Sequence, residues 1–234
     1  MSKKLPPIEI LFEDNHLIVI NKNSGDIVQG DKTGDAPLNE IVKEYIRIKY
    51  NKPGEVYLGT PHRIDRPTSG IVVFTKTSKA LTRLNKMFQD KEVQKTYWAI
   101  VKNKPKKDEE HLTHYLKKNE KKNKSFPQKE TTDGAKKSDL IYKVIHKFDN
   151  FYLLNIKPLT GRHHQIRVQL STEGTPIRGD LKYGYARSNP DASISLHARK
   201  IEFIHPVKQE PVVIVAPANN KDPLWKVANQ LFKA

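Results

Sequence analysis

A charged turn running directly into an apolar run constrains this chain more than any other stretch. Residues His62-Arg63-Ile64-Asp65-Arg66-Pro67-Thr68-Ser69-Gly70 are followed at once by Ile71-Val72-Val73-Phe74. Four consecutive apolar residues behind turn signals predict a strand buried on both faces, since a half-exposed strand would alternate. Pro67 and Gly70 mark the turn that leads into it. The turn thus presents a single carboxylate, Asp65, between two arginines at the mouth of a buried strand. Positive neighbours favour the charged form of an acid, and loops on rigid strands are where chemistry is placed. A plainer use for such an aspartate is to cap the turn through a local hydrogen bond.

Around this strand, short apolar runs and helical spacings follow one another without strict alternation. Residues 8–12 and 17–20 read as strands joined at Glu13-Asp14-Asn15. Leu38, Ile41, Val42, Tyr45 and Ile46 share one helical face, with Asp35 and Pro37 as start signals. A second helix is predicted over 78–90 from Leu81, Leu84 and Phe88, and a strand over 94–101 carries Tyr97 and Trp98. Residues 140–145 and 151–156 predict a hairpin across Asp149-Asn150. Residues 162–170 read as a short helix closed by Gly174, which puts His163 and His164 on different helix faces. Further strands are expected over 175–177, 194–197, 200–204 and 212–215, and Asp222-Pro223 opens a last helix. The pattern predicts an α+β fold, a large, mostly antiparallel mixed sheet flanked by helices and loops. One domain is expected over 8–234 behind a tail of residues 1–7.

Charge narrows the partners. The chain has 42 basic against 26 acidic residues, a formal net charge of +16, and so large an excess predicts a polyanion such as nucleic acid. Nine lysines and four acids fall between Lys102 and Lys124. That insertion, at about 102–130, reads either as a solvated hairpin or loop or as a flap that contacts phosphates. With no cysteine there is no disulfide and no thiolate metal site. His163 and His164 are not joined by other ligand types at metal-site spacing, so no metal is expected. No run has the length or apolarity of a membrane span or a signal peptide, and a cytoplasmic protein that does not engage a membrane is expected.

The wording of three stretches adds a family to this reading. His62 to Gly70 resembles the His-Arg-Leu-Asp-x-x-Thr-Ser-Gly signature of the RluA family of RNA pseudouridine synthases, with Ile64 in place of Leu. Lys95-Thr96-Tyr97-Trp98-Ala99 is similar to the family's second motif, and Thr160-Gly161-Arg162-His163-His164-Gln165-Ile166-Arg167 to its third. Gly174 to Asp180, Tyr183-Gly184, Leu196 to Arg199 and His205-Pro206 extend the likeness over roughly residues 8 to 217. Departures are Asn23 where the family has proline, Asn103 where it has glycine, and Gln169 where it often has histidine.

The resemblance implies the pseudouridine synthase fold and conversion of specific uridines in structured RNA, ribosomal or transfer, by an aspartate nucleophile and base flipping. No cofactor is implied. Asp65, Tyr97 and Arg167 would be the catalytic set, with Arg167 pairing with Asp65 and Tyr97 and Ile166 holding the base. Arg63 would fill the space left by the flipped base. Arg66, Arg162, Lys22, Lys117 and Lys118 complete the expected RNA contacts. A monomer is expected, without the separate N-terminal RNA-binding domain that many members carry. The alternatives are a catalytically silent RNA-binding protein on the same fold and a glycosidic-bond hydrolase, which would ordinarily need a second acid.

Overall fold

The computed structural model describes residues 5–30 and 34–233, so the expected tail lies mostly outside the described residues. In chain order the elements are β1 (Ile10–Glu13), β2 (Leu17–Lys22), α1 (Leu38–Lys49), β3 (Ser69–Thr75), α2 (Ser78–Gln89), β4 (Gln94–Val101), β5 (Glu109–Asn119) and β6 (Lys124–Gln128). They continue with β7 (Lys136–Lys147), β8 (Tyr152–Pro158), α3 (Gln165–Thr172), β9 (Leu196–Ile204), β10 (Pro211–Val215) and α4 (Pro223–Leu231). The class is α+β, as the pattern predicts. Residues group into two compact units, the first made of 1–94 with 200–218 and the second of 95–199 with 219–233.

In the first unit β2 lies antiparallel between β1 and β3. Every residue of β2 is buried, and in β3 every residue after Ser69 is buried. This is the two-faced burial that the unbroken apolar run requires. Helix α1 buries Leu38, Val42, Tyr45 and Ile46. Pro37 sits at its N-cap without a side-chain cap, and Asp35, the expected start signal, instead forms an ion pair with Arg66 at 2.6 Å. Thr77 caps α2 by accepting from the Ala80 amide at 3.3 Å. Strand β10 pairs antiparallel with the end of β9, from Val215 opposite Lys200 to Pro211 opposite Ile204.

In the second unit five strands run in the order β4-β8-β7-β5-β6, each pair antiparallel. Ala99, Val101, Leu140, Tyr142, Leu154 and Ile156 from this sheet pack with Ile166 and Leu170 of α3. Burial of such side chains contributes roughly 1.5–3 kcal/mol each, which fixes α3 against the sheet. Asp222 caps α4 through the Leu224 amide at 2.9 Å, with Pro223 at the first position.

One open local reading narrows and two expectations change. The lysine-rich segment is an ordered hairpin, β5 with β6, because Leu112 and Leu116 are buried and hold its inner face. Pro127 is tolerated in β6 since that strand ends the order and needs no further ladder bond. The strands expected over 194–197 and 200–204 merge into the one continuous strand β9, which begins at Leu196, and 175–177 contributes only an isolated bridge, Val101 to Ile177. His163 and His164 precede the helix: His164 takes a left-handed φ of 54° and α3 begins at Gln165. Their rings stack at 3.7 Å instead of dividing between two helix faces.

Candidate active site

In the first unit, Asp65 sits on a turn closed by the Thr68 amide donating to the Asp65 carbonyl at 3.0 Å. The next two carbonyls are held from the end of β2 and the loop after it. Arg66 O accepts from the Gly25 amide at 2.9 Å and from Lys22 Nζ at 3.1 Å, and Pro67 O accepts from Ser24 Oγ at 3.0 Å. Lys22 Nζ also donates to the carbonyls of Asn23 and Asp26, both at 2.8 Å. Burial pushes the Lys22 ammonium down to about 8, against the pull of Asp26 and Asp65. His62 steadies the other side: its Nε2 accepts from the Val73 amide at 2.9 Å, and its ring lies 4.9 Å from that of Phe88. The signature histidine and the lysine before it therefore fix backbone, and the turn delivers Asp65 from a rigid base.

In the second unit, the third motif is organised by Gln165. Its Oε1 accepts from Thr160 Oγ1 at 2.7 Å and from the Arg162 amide at 3.0 Å, while Nε2 donates to the Asp139 carbonyl at 2.9 Å. Arg167, in the first turn of α3, is buried and donates from Nε and Nη2 to the two carboxylate oxygens of Asp180 at 2.7 and 2.8 Å. Tyr183 lies beside the pair, its ring centre 5.1 Å from the guanidinium. The Tyr183 hydroxyl accepts from the Ser125 amide and meets His164 Nδ1, each at 2.9 Å. Burial first, and the Arg167 charge next, hold His164 down to about 2, so it is neutral at ordinary pH.

Comparison with known proteins decides the family. The profile of the RNA pseudouridylate synthase family matches residues 16–172. The chain belongs to that family. It is accordingly an RNA pseudouridine synthase, an isomerase, and the silent-binder and hydrolase alternatives are set aside. A protein named ribosomal large subunit pseudouridine synthase C from Vibrio vulnificus is 36% identical over 228 residues, covering 95% of this chain and 69% of the relative. The protein of the same name from Vibrio parahaemolyticus is 35% identical, covering 96% and 70%. The solved structure of human RNA pseudouridylate synthase domain containing 4 has the same fold, with a TM-score of 0.76 over 95% of this chain and 92% of that one, at 22% identity.

For the synthase, the expected site residues divide between the units. Asp65, Arg63, Arg66 and Lys22 belong to the first; Tyr97, Arg162, Ile166, Arg167, Lys117 and Lys118 belong to the second. Arg63 and Arg66 are exposed, with Arg66 held by Asp35. Tyr97 is half-buried on β4 opposite Ile156 of β8. Ile166 of α3 is buried in the core, and Arg162 is exposed with Nε on the Lys137 carbonyl at 3.2 Å. Lys117 reaches the Asp133 carbonyl at 2.8 Å, and Lys118 pairs with Glu120 at 2.7 Å.

Lys22 is the residue whose surroundings fit its expected role least. At 1% exposure, with Nζ on three carbonyls, it is a backbone clamp and not a group turned toward a phosphate. Gln165 is marked in the sequence only as a position of the third motif, and Asp180 and Tyr183 do not stand out as site residues. The one signal for the last two is the Gly179-Asp180 and Tyr183-Gly184 pairs, which by composition are indistinguishable from ordinary turns. Among the described residues no three His, Asp or Glu side chains gather as a metal-ligating group, and no helix is long and apolar enough to cross a membrane.

Proposed function

We propose that this synthase converts uridine to pseudouridine in ribosomal RNA, in the cytoplasm, with Asp65 as nucleophile. The supporting observation is the 36% identity, over 95% of this chain, to a relative whose name specifies the ribosomal large subunit. The build of the Asp65 turn is consistent with that role. A carboxylate on a turn pinned through its next two carbonyls attacks from a fixed position, and pre-set geometry is a large part of such rate enhancement.

The target base must first leave the stack. Arg63 fills the space it vacates, while Tyr97 and Ile166 hold the uracil. The bond between ribose C1′ and N1 breaks through a covalent intermediate with Asp65. The uracil turns, C1′ bonds to C5, the C5 proton leaves and N1 takes up a proton, so atoms balance as an isomerisation needs. The role proposed for Arg167 is to orient the nucleophile's carboxylate. Arg66, Arg162, Lys117 and Lys118 contact the phosphate backbone, and Lys22 acts from beneath by holding the turn.

The test is pseudouridine mapping in ribosomal and transfer RNA from cells lacking the protein, complemented with wild type or Asp65→Asn. Wild type should restore at least one site in ribosomal RNA, and Asp65→Asn none, although the purified variant should bind RNA within about threefold of wild type. A site restored by Asp65→Asn removes the aspartate from the mechanism. Restoration confined to transfer RNA overturns the substrate.

A further inference from the structure

We propose that Asp180 is the positioning residue of the synthase: it sets the orientation of Arg167 and through it the geometry of the nucleophile. The inference rests on the reading of Arg167 as the partner of Asp65.

The first ground is the form of the pair. Arg167 and Asp180 are joined through two parallel hydrogen bonds of 2.7 and 2.8 Å, with 5% and 1% of their side chains exposed. A guanidinium gripped along its Nε–Nη2 edge cannot rotate about its own axis, so its remaining donors point in one direction. Buried ion pairs contribute little net stability compared with apolar side chains of the same volume. A buried pair is better suited to directing a group than to holding a fold together.

The second ground is how firmly the loop before Asp180 is fastened. The Arg178 amide donates to the Ile100 carbonyl at 2.9 Å, and the Arg178 carbonyl accepts from the Ser195 amide at 2.8 Å. The Arg178 side chain reaches Asp222 at 2.5 Å. Gly179 has φ +86°, and a Cβ there would come within 2.6 Å of the Ser193 carbonyl oxygen, so only glycine fits. After the carboxylate, the Tyr183 and Tyr185 amides both donate to the Asp180 carbonyl, at 3.1 and 3.0 Å. The Asp180 carboxylate is therefore held from both sides in sequence.

The third ground is Tyr183, which covers the guanidinium while its hydroxyl is fixed by Ser125 and His164. Arg167 is thus held along one edge by Asp180 and beside its plane by an immobilised ring. A simple tether between this loop and α3 would need neither the parallel bonds nor the covering ring.

The experiment compares wild type, Asp180→Asn, Arg167→Lys and the double variant by single-turnover rate at saturating RNA, RNA Kd and folded fraction. Asparagine retains one acceptor and the shape but loses the second strong bond. Asp180→Asn should lower the rate about tenfold to a hundredfold, as a displacement of order 1 Å at a reacting group does, with Kd and folded fraction unchanged. Placed on Arg167→Lys, which cannot form the two-bonded pair, the same change should cost less than about threefold. A folded Asp180→Asn enzyme with wild-type rate overturns the inference, as does a loss that multiplies undiminished in the double variant. Where Asp180→Asn does not fold, Asp180→Glu, which keeps the charge and moves the carboxylate by one methylene, carries the test: a wild-type rate overturns it. The parent reading fails separately, through a wild-type rate in Arg167→Met or pseudouridine formed by Asp65→Asn.

Discussion

Lys22 and the lysines of the β5–β6 hairpin are the same residue in opposite surroundings. Lys22 lies under the Asp65 turn, buried, with its three ammonium donors on main-chain carbonyls at 2.8, 2.8 and 3.1 Å. Lys121 and Lys122 stand exposed in the hairpin turn, flanked by Lys117 and Lys118 on the strand before it. A buried cation must find acceptors inside the protein or leave, and those it finds here are the carbonyls that shape the turn. An exposed cation stays hydrated and exchanges water for phosphate at little cost. The difference teaches that net charge points to an RNA partner without telling which lysines touch it.

The sharpest way to break this contrast is Lys22→Met. Three carbonyls lose their shared donor, and unsatisfied buried groups cost about 1–3 kcal/mol each at most. The Arg66 carbonyl keeps the Gly25 amide, so a net loss of about 2–3 kcal/mol is expected, which lowers the thermal midpoint by about 4–12 °C. Circular dichroism on heating measures it. A midpoint within a degree of wild type would mean that the turn holds without its clamp.

Changing Lys117, Lys118, Lys121 and Lys122 together to Gln should do the reverse. Stability should stay within about 0.5 kcal/mol, as for exposed positions generally. The slope of log affinity for RNA against log salt should shrink by about 0.7–0.9 for every phosphate that is no longer neutralised. An unchanged slope would leave the hairpin as a solvated edge and move RNA binding elsewhere on the surface.

Lys49 and Lys76 form an intermediate case, since Lys49 is partly exposed and Lys76 mostly buried, and both converge on Glu13 at 2.7 and 3.0 Å. Burial would raise Glu13, but hydrogen bonds from Lys49, Lys76 and Tyr50 outweigh it and bring the carboxyl down to about 2. For Asp14, burial is likewise outweighed, by the His16 and Leu17 amides with Lys208 and His205, and it too falls to about 2. Both folded values lie below the unfolded ones, so the contribution is full above the ordinary carboxylate range and is lost as pH falls toward 2. Urea midpoints measured from pH 6 to pH 2 should fall more steeply for wild type than for Glu13→Gln. Parallel curves would mean that the cluster is a surface ornament of screened charges.

Elements with a strong local signal were legible. Apolar residues three and four apart placed α1, α2 and α4, and uninterrupted apolar runs placed β2 and β3 inside a sheet, because periodicity is a direct image of which faces meet the core. The hairpin of the lysine-rich segment was one of two open readings, since charge hides the two inward leucines, Leu112 and Leu116, that order it. The continuity of β9 and the late start of α3 were not legible. The first depends on pairing with distant strands, and the second on a left-handed residue, His164, which its sequence neighbours do not announce.

The same division runs through the candidate site. By itself the sequence determined the family and the order of three motifs, and it nominated Asp65, Tyr97 and Arg167 as candidates, because motifs are carried by residue type and spacing along the chain. Only the tertiary structure decided that Lys22 faces carbonyls instead of solvent, that Gln165 ties Thr160 and Arg162 to Asp139, and that Asp180, thirteen residues beyond Arg167, is its ion-pair partner. Burial and pairing are properties of separation in space. A lysine's sequence neighbours say how it is spelled, and the acceptors that fold around it say whether it binds RNA or backbone.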